Sequence, residues 1–294
     1  MPERDSRRRF GDRKDGRRLR TASPVFLLTP FLMRSPSDAV HGFTDRTDTA
    51  AIDSWLKEQR FEGRDDISFV HVFIAAYVRT LAHRPAMNRF VAGRFLYARD
   101  RIDVVLSSGR NGAADTGAMA VKVHFLPTDT IYDVVRKINS QVDGIKADRE
   151  AGRVERLAST LVKTPRFLLR AATAVIRWID YHGWLSEKWT ERSPFHGSVV
   201  ISDEGANSLP PVSRSLNSMG SLPASISIGR RSSAIELTRT GAAAEKKYVD
   251  YAVCVDSRIA DNAYIGSAFK YFRYYLNNPA DLERPPERVN EDVL

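Results

Sequence analysis

Apolar and polar residues along this chain repeat with two periods, one typical of helices and one typical of strands. Residues 48–60 carry an apolar stripe at helical spacing, and Asp48 or Thr49 is placed to cap that helix. Residues 67–83 are apolar on nearly every face, which predicts a buried helix that ends before Pro85. Two further helices are predicted over residues 130–145 and 263–277.

Short apolar runs and alternating segments predict the strands. Residues 94–107 favour two short strands, and residues 118–125 favour another. Later strands are predicted over residues 199–202, 224–228 and 248–256. An apolar stretch at residues 25–33 is interrupted by a proline. Because strands and helices are mixed along the chain, the sequence predicts one α/β or α+β domain.

Composition excludes several classes of protein. The chain has 294 residues, of which 43% are hydrophobic and 28% charged, so a sizeable core is available. The single cysteine, Cys254, excludes a scaffold held by internal disulfides. No apolar run reaches the roughly 18 residues of a membrane span, and the segment after Met1 is charged, unlike a secretory signal. We expect a cytoplasmic protein.

The net charge of +9 is concentrated at the N-terminus. Residues 1–20 hold nine basic and four acidic side chains, a net charge of +5, and we expect residues 1–22 to form a flexible basic arm. Such an arm could contact nucleic acid or an anionic membrane. No zinc spacing and no patch of interleaved aromatic and basic residues follows it, so nucleic acid is not the expected partner.

Five segments in consistent order carry a resemblance to one protein family. They are F-I-A-A-Y-V-R at residues 73–79, P-A-M-N at 85–88, K-A-D-R-E-A-G at 146–152, G-S-V-V-I-S-D-E-G at 197–205 and D-S-R-I-A-D-N at 256–262. They resemble the buried helix, P-x-x-N turn, K-A-R-x-G segment, G-T-F-T-I-S-N-L-G strand and catalytic D-H-R-x-x-D-G motif of dihydrolipoamide acyltransferase catalytic domains. That family shares the fold of chloramphenicol acetyltransferase.

The resemblance implies a fold, an assembly and a chemistry. The expected fold over residues 23–282 is an α/β (α+β) two-layer sandwich, a mixed sheet with flanking helices, followed by a tail at residues 283–294. The family forms trimers with active sites between subunits, which implies a homotrimer or a multiple of it. Coenzyme A or acyl-CoA is the implied cofactor, with a small-molecule acyl acceptor. The sequence has no dinucleotide glycine motif, Walker loop or metal-ligand cluster, so no metal is predicted.

The family's catalytic histidine is replaced here by Ser257. In the family that histidine moves a proton between an attacking thiol or hydroxyl and the acyl carbonyl, which a serine hydroxyl cannot do near neutral pH. The motif keeps Arg258 and Asp261, and the resemblance implies that this aspartate supports the local structure by pairing with an arginine. The family's glycine is Asn262, a common substitute where a positive φ is needed.

The second catalytic element is also altered. The family stabilises its tetrahedral intermediate with a Ser, Thr or Asn donor. When residues 197–205 are aligned with the family's G-T-F-T-I-S-N-L-G strand, Asp203 takes that position. An ionised aspartate repels an oxyanion, whereas Ser202 could donate if the register shifts by one residue. For a relocated base we consider His182 and His196. Activation of Ser257 as a nucleophile by one of these histidines is a further alternative.

Residues 153–193 form an insert where the family has a short link. Within it Lys163, Arg170 and Arg177 recur at every seventh residue, so they lie near one face of a predicted helix whose other positions are largely apolar. The helix could pack on its own domain, cover an acyl-substrate pocket or a trimer contact, or lie in a membrane interface. If the helix lies in a membrane interface, the protein is expected to be membrane-peripheral.

Two functions of different classes follow. One is a CoA-dependent acyltransferase of this fold with altered catalytic groups. The other is a catalytically inactive binding or scaffold protein of the same fold, a pseudoenzyme.

Overall fold

A computed structural model describes residues 9–108, 119–150, 164–237 and 241–292. The strands are β1 Gly16–Arg18, β2 Val40–Asp48, β3 Arg89–Ala92, β4 Phe95–Arg99, β5 Ile102–Ser108, β6 Met119–Phe125, β7 Val199–Asp203, β8 Ala224–Leu237 and β9 Ala243–Asp256. The helices are α1 Pro24–Leu32, α2 Ala50–Phe61, α3 Phe69–His83, α4 Ile131–Glu150, α5 Arg166–Tyr181, α6 Glu187–Arg192 and α7 Asn262–Asn277. Short 3₁₀ turns lie at Pro36–Asp38, Pro85–Asn88, Gly205–Asn207 and Pro279–Glu283.

The main sheet has six strands in the order β2-β9-β8-β7-β5-β6. Strand β7 runs parallel to β5 and β8, and the other pairs are antiparallel. A second sheet has the order β1-β4-β3. The predicted α/β fold class, with a mixed sheet and flanking helices, is therefore confirmed.

One face of the main sheet is covered by α3 and α7. The Phe73 ring of α3 packs 5.6 Å from Tyr251 of β9 and 5.7 Å from Phe272 of α7. The opposite face is covered by the segment between the Gly205–Asn207 turn and β8, where Ser213 Oγ lies 3.1 Å from Cys254 Sγ. The core thus lies between the sheet and its helical layer, as the helix-wide apolar pattern of α3 predicts.

The second half of the predicted flexible arm belongs to the domain. Strand β1 pairs with β4, and a Cβ on Gly16 would lie 2.7 Å from the Ala98 carbonyl oxygen, so this close approach requires glycine. Leu19 is buried, and so is Arg13. The expectation of an arm over residues 1–22 is wrong for this part, because the strand is held by backbone pairing and buried ion pairs rather than by an apolar pattern.

Strands β8 and β9 extend well beyond the predicted segments. Their outer halves form a hairpin whose side chains, such as Ile235, are exposed. These positions lack the apolar pattern of a buried strand, so only the inner halves were predictable.

Candidate active site

The turn after β9 is built on a buried ion pair. Arg258 donates from Nε and Nη2 to the Asp256 carboxylate at 2.8 and 2.6 Å, and both side chains are almost fully buried. Arg258 Nη1 also donates to the Met33 carbonyl oxygen at 3.1 Å, which ties the turn to the end of α1. A desolvated, multiply bonded pair of this kind holds one geometry.

Asp261 has a different role from the one that the resemblance implies. Its Oδ1 accepts a hydrogen bond from the Tyr264 backbone N–H at 2.7 Å and so caps α7. Among the described residues Asp261 forms no ion pair with an arginine, and Arg258 pairs with Asp256 instead. Asn262 is the first residue of α7 and has no positive φ, so the expectation of a left-handed residue there is wrong.

Ser257 occupies the position of the family's histidine without a histidine's chemistry. Its backbone N–H donates to the Ala39 carbonyl oxygen at 2.8 Å, which fixes the residue beside the start of β2. Its hydroxyl is half-buried and contacts the Met33 sulfur at 4.0 Å. Among the described residues no histidine bonds to this hydroxyl, so nothing there activates it as a nucleophile.

A histidine does contact the same motif from the neighbouring strand. His41 pairs with Val255 across β2 and β9, and its Nδ1 lies 2.8 Å from Asn262 Oδ1. Since the amide oxygen only accepts, Nδ1 is the donor in this contact, and in the neutral imidazole the lone pair is then on Nε2. No motif or periodicity singles out His41. Only the long-range pairing of β2 with β9 brings it to this turn.

His41 and Asn262 lie at one end of a groove of about 780 Å³ between β2 and α7. Next along the groove, the rings of Phe43 and Phe269 pack edge to face at 5.0 Å. At the far end Arg273 donates to Asp45 at 3.0 Å. The groove therefore has an apolar middle and polar ends.

Ser202 and Asp203 lie in the middle of the sheet, in register with the central part of β9. Ser202 pairs with Ser227, which in turn pairs with Ala252 of β9. Asp256, the last residue of β9 before Ser257, is four residues beyond Ala252, roughly 13 Å along the strand. Within one copy of the chain, the two catalytic positions that the resemblance assigns are therefore far apart.

The two residues at the donor position differ in their surroundings. Ser202 is buried, and its Oγ has no hydrogen-bond partner in the part of the chain that is described. Asp203 is half-buried and accepts from the Ala206 backbone N–H at 3.1 Å. The Ser202 hydroxyl thus has no described acceptor for its hydrogen, whereas the Asp203 carboxylate accepts a hydrogen bond within the following turn.

The two histidines proposed as relocated bases belong to the insert region. His196 is buried, with Nδ1 2.9 Å from Ser193 Oγ, and its Nε2 approaches Asp180 to 3.3 Å without hydrogen-bond alignment. His182 is exposed, its Nδ1 lying 2.8 Å from the Trp178 carbonyl oxygen. Neither shares a described hydrogen bond with the turn at residues 256–262.

Asp180 joins the insert to the N-terminal segment. It accepts from Arg13 at 2.7 Å through its carboxylate and at 2.5 Å through its carbonyl oxygen. Burial alone would raise the pKa of Asp180, but the approach of His196 and the charge of Arg13 lower it below its ordinary value. The end of α5 is thus held by a charged network.

Helix α5, the centre of the predicted insert, has no buried residue. In this single chain Phe167, Leu168, Val175 and Trp178 are exposed, whereas Leu169 and Ile176 are half-buried, so only one side of the helix packs on its own domain. No described helix is both long and apolar enough to cross a membrane. Lys163 and the segment at residues 151–152 lie outside the described residues, as do the side chains of residues 145–150.

Comparisons with known proteins agree with the fold. No protein-family model and no curated protein sequence matches the chain. A probable dihydrolipoamide acetyltransferase from Listeria monocytogenes is similar in structure, with a TM-score of 0.55 and 12% identity over 86% of this chain and 89% of that one. The Azotobacter vinelandii dihydrolipoamide acetyltransferase gives 0.52 and 11%, over 88% of each chain.

A third structure is the truncated catalytic core of a 2-oxoacid dehydrogenase complex from Thermoplasma acidophilum. It gives a TM-score of 0.52 and 12% identity, over 89% of this chain and 98% of that one. Identities this low establish architecture only. The chain has the fold of dihydrolipoamide acetyltransferase catalytic cores.

Proposed function

We propose that this protein is an acyltransferase that uses coenzyme A and transfers protons through His41 instead of the residue at position 257. The observation that carries the proposal is the contact between His41 and Asn262, which joins a histidine to the otherwise retained motif turn. The groove beside that contact is open to solvent and has a volume of about 780 Å³.

The apolar middle and polar ends of the groove suit an acyl-pantetheine chain, which has both apolar and polar parts. Phe43, Ile265 and Phe269 supply apolar walls, and a Cβ added to Gly266 would meet no atom within 4 Å. When bound, acyl-CoA would supply the thioester, and free coenzyme A would leave as the thiol. His41 lies at one end of these walls, where a proton must be taken from an attacking hydroxyl or thiol.

The proton transfer uses the two nitrogens of His41 differently. Nδ1 donates to Asn262 Oδ1, which orients the ring and leaves Nε2 to accept the proton of the attacking group. The same Nε2–H then returns the proton to the departing thiolate. Asn262 is a positioning residue here, because it acts through the histidine.

The oxyanion donor would come from a second copy of the chain. Ser202 is in register with the middle of β9, two strands away, whereas the turn at residues 256–262 follows the end of β9, so a complete site needs the turn of one copy and the strand β7 of another. A trimer with sites between subunits, as the resemblance implies, meets this requirement. Ser202 is the proposed donor, and Asp203 is not; because the Ser202 hydroxyl is enclosed in the single chain, this role requires that it becomes accessible when the copies assemble.

A second candidate function is a non-catalytic binding protein of the same fold. It is favoured by the two replacements at the motif positions, Ser257 and Asp203. Such a protein could keep the groove and lose turnover.

Calorimetry with acetyl-CoA and a long-chain acyl-CoA, with thiol release followed in the same samples, separates the two. Binding with thiol release supports the acyltransferase. Saturable binding without thiol release supports the binding protein. Absence of binding to both compounds contradicts the acyltransferase and favours a scaffold protein that does not use coenzyme A.

A further inference from the structure

Helix α5 presents a wide apolar face to the outside of the molecule. Phe167, Val175 and Trp178 are 70%, 55% and 54% exposed. At about 100° per residue these side chains and Leu168 fall within roughly 100° of one another around the helix axis. The helix meets the body of the protein through a different side, on which Leu169 and Ile176 are half-buried.

The arginines of α5 form a separate stripe. Arg166, Arg170 and Arg177 lie within about 40° of one another around the axis. Their stripe lies between the apolar face and the side of the helix that meets the body of the protein. No acidic residue occurs between Glu155 and Asp180. The helix is therefore amphipathic, and its polar side is cationic from Arg166 to Arg177.

The apolar face is held outward by fixed contacts at the end of the helix. The Asp180 carboxylate and carbonyl oxygen both accept from Arg13. The β3–β4 turn lies directly against the same end, where a Cβ on Gly93 would be 2.5 Å from the Tyr181 carbonyl oxygen. These contacts set the rotation of α5 about its axis without using its apolar face.

We propose that α5 docks this protein on an anionic membrane surface, with its apolar face at the boundary between headgroups and acyl chains. Sixteen residues span about 24 Å, short of the roughly 30 Å hydrocarbon core, so the helix lies in the plane of the bilayer. The arginines then reach the anionic headgroups. The exposed Trp178, Tyr181 and Trp184 rings suit the same boundary.

A lipid surface fits this face better than a second copy does. A two-fold contact through α5 would bring the same face of both copies together, whereas the proposed trimer would place this face against a different surface of the neighbouring copy. In the two-fold contact the two arginine stripes would approach each other, and Asp180, the acidic residue of the helix, is already paired with Arg13. Anionic headgroups provide the missing countercharge, and the protein's net charge of +9 adds to the attraction.

The test is co-sedimentation of the full chain with vesicles, without any acyl donor. Vesicles of phosphatidylcholine alone are compared with a three-to-one mixture of phosphatidylcholine and phosphatidylglycerol. We expect binding to the mixed vesicles, reduced about tenfold or more by Phe167→Ser with Trp178→Ser. Phe61→Ser, which alters an exposed ring on α2, is the control and should bind as the wild type does.

The charge component has its own variant. Arg170→Gln with Arg177→Gln should weaken binding to the mixed vesicles about fivefold per arginine, whereas the matched Arg60→Gln on α2 should change it little. No binding to either vesicle, or equal binding by all variants, overturns the proposal. The proposal is also overturned if Trp178→Ser lowers the oligomeric mass measured by light scattering and leaves vesicle binding unchanged. That result would mean that a second copy of the chain covers the face. The outcome is independent of coenzyme A chemistry.

Discussion

The turn after β9 and the insert helix α5 hold their charged groups in opposite ways. In the turn, Asp256 and Arg258 bond to each other inside the protein. In α5, the arginines and the large apolar side chains both face outward, and only the end of the helix is tied down. The turn is therefore a structural element that positions its neighbours, whereas α5 is a surface element.

The largest difference between the two regions should appear in stability. Asp256→Asn keeps the shape of the side chain but leaves the Arg258 charge buried without its partner. We expect the free energy of unfolding to fall by about 3–5 kcal/mol. Urea unfolding followed by circular dichroism measures it.

Asp53→Asn is the matched control, because its partner Arg231 is about half exposed. It should change the free energy of unfolding by less than about 1 kcal/mol. Equal losses for the two variants would contradict a structural role for the buried pair.

The end of α5 should show an intermediate effect that depends on pH. Asp180→Asn removes the charge that pairs with Arg13, and a loss of about 2 kcal/mol is expected near neutral pH. Because the folded pKa of Asp180 is lowered, its contribution is present above the ordinary value of 3.8 and is lost as the pH falls through the lowered value. The difference between wild type and variant should therefore shrink in acid. A difference that grows in acid would contradict the pairing.

The smallest effect is expected on the open face of α5. Phe167→Ser changes an exposed side chain, so the free energy of unfolding should change by no more than about 0.5 kcal/mol. Thermal unfolding of the chain without vesicles measures this. A loss of 2 kcal/mol or more would mean that the ring is covered in solution, which would also contradict the proposed membrane contact.

The sequence predicts those parts of the molecule that are decided locally. The apolar residues of helices α3 and α7 recur at helical spacing, which predicts both helices, and the motif at residues 256–262 predicts the turn. The β1 pairing and the outer halves of β8 and β9 have no such pattern, because backbone hydrogen bonds and ion pairs hold them.

The candidate site depends on long-range pairing. His41 is more than 200 residues from Asn262 in the sequence, and they meet only because β2 pairs with β9 in a particular register. Strand register is set by tertiary packing, so spacing along the chain cannot predict it. His182 and His196 stand nearer to motifs in the sequence, yet the fold places them with the insert.

The most direct test of the account is thiol release from acetyl-CoA by the wild type, His41→Gln and Ser257→Ala over a range of pH. We predict that His41→Gln loses about 10²–10⁴-fold in rate while its unfolding free energy is unchanged, and that Ser257→Ala retains the wild-type rate. Glutamine cannot take a proton at the position of Nε2, whereas the Ser257 hydroxyl has no proposed role. Full activity in His41→Gln together with its loss in Ser257→Ala would contradict the account.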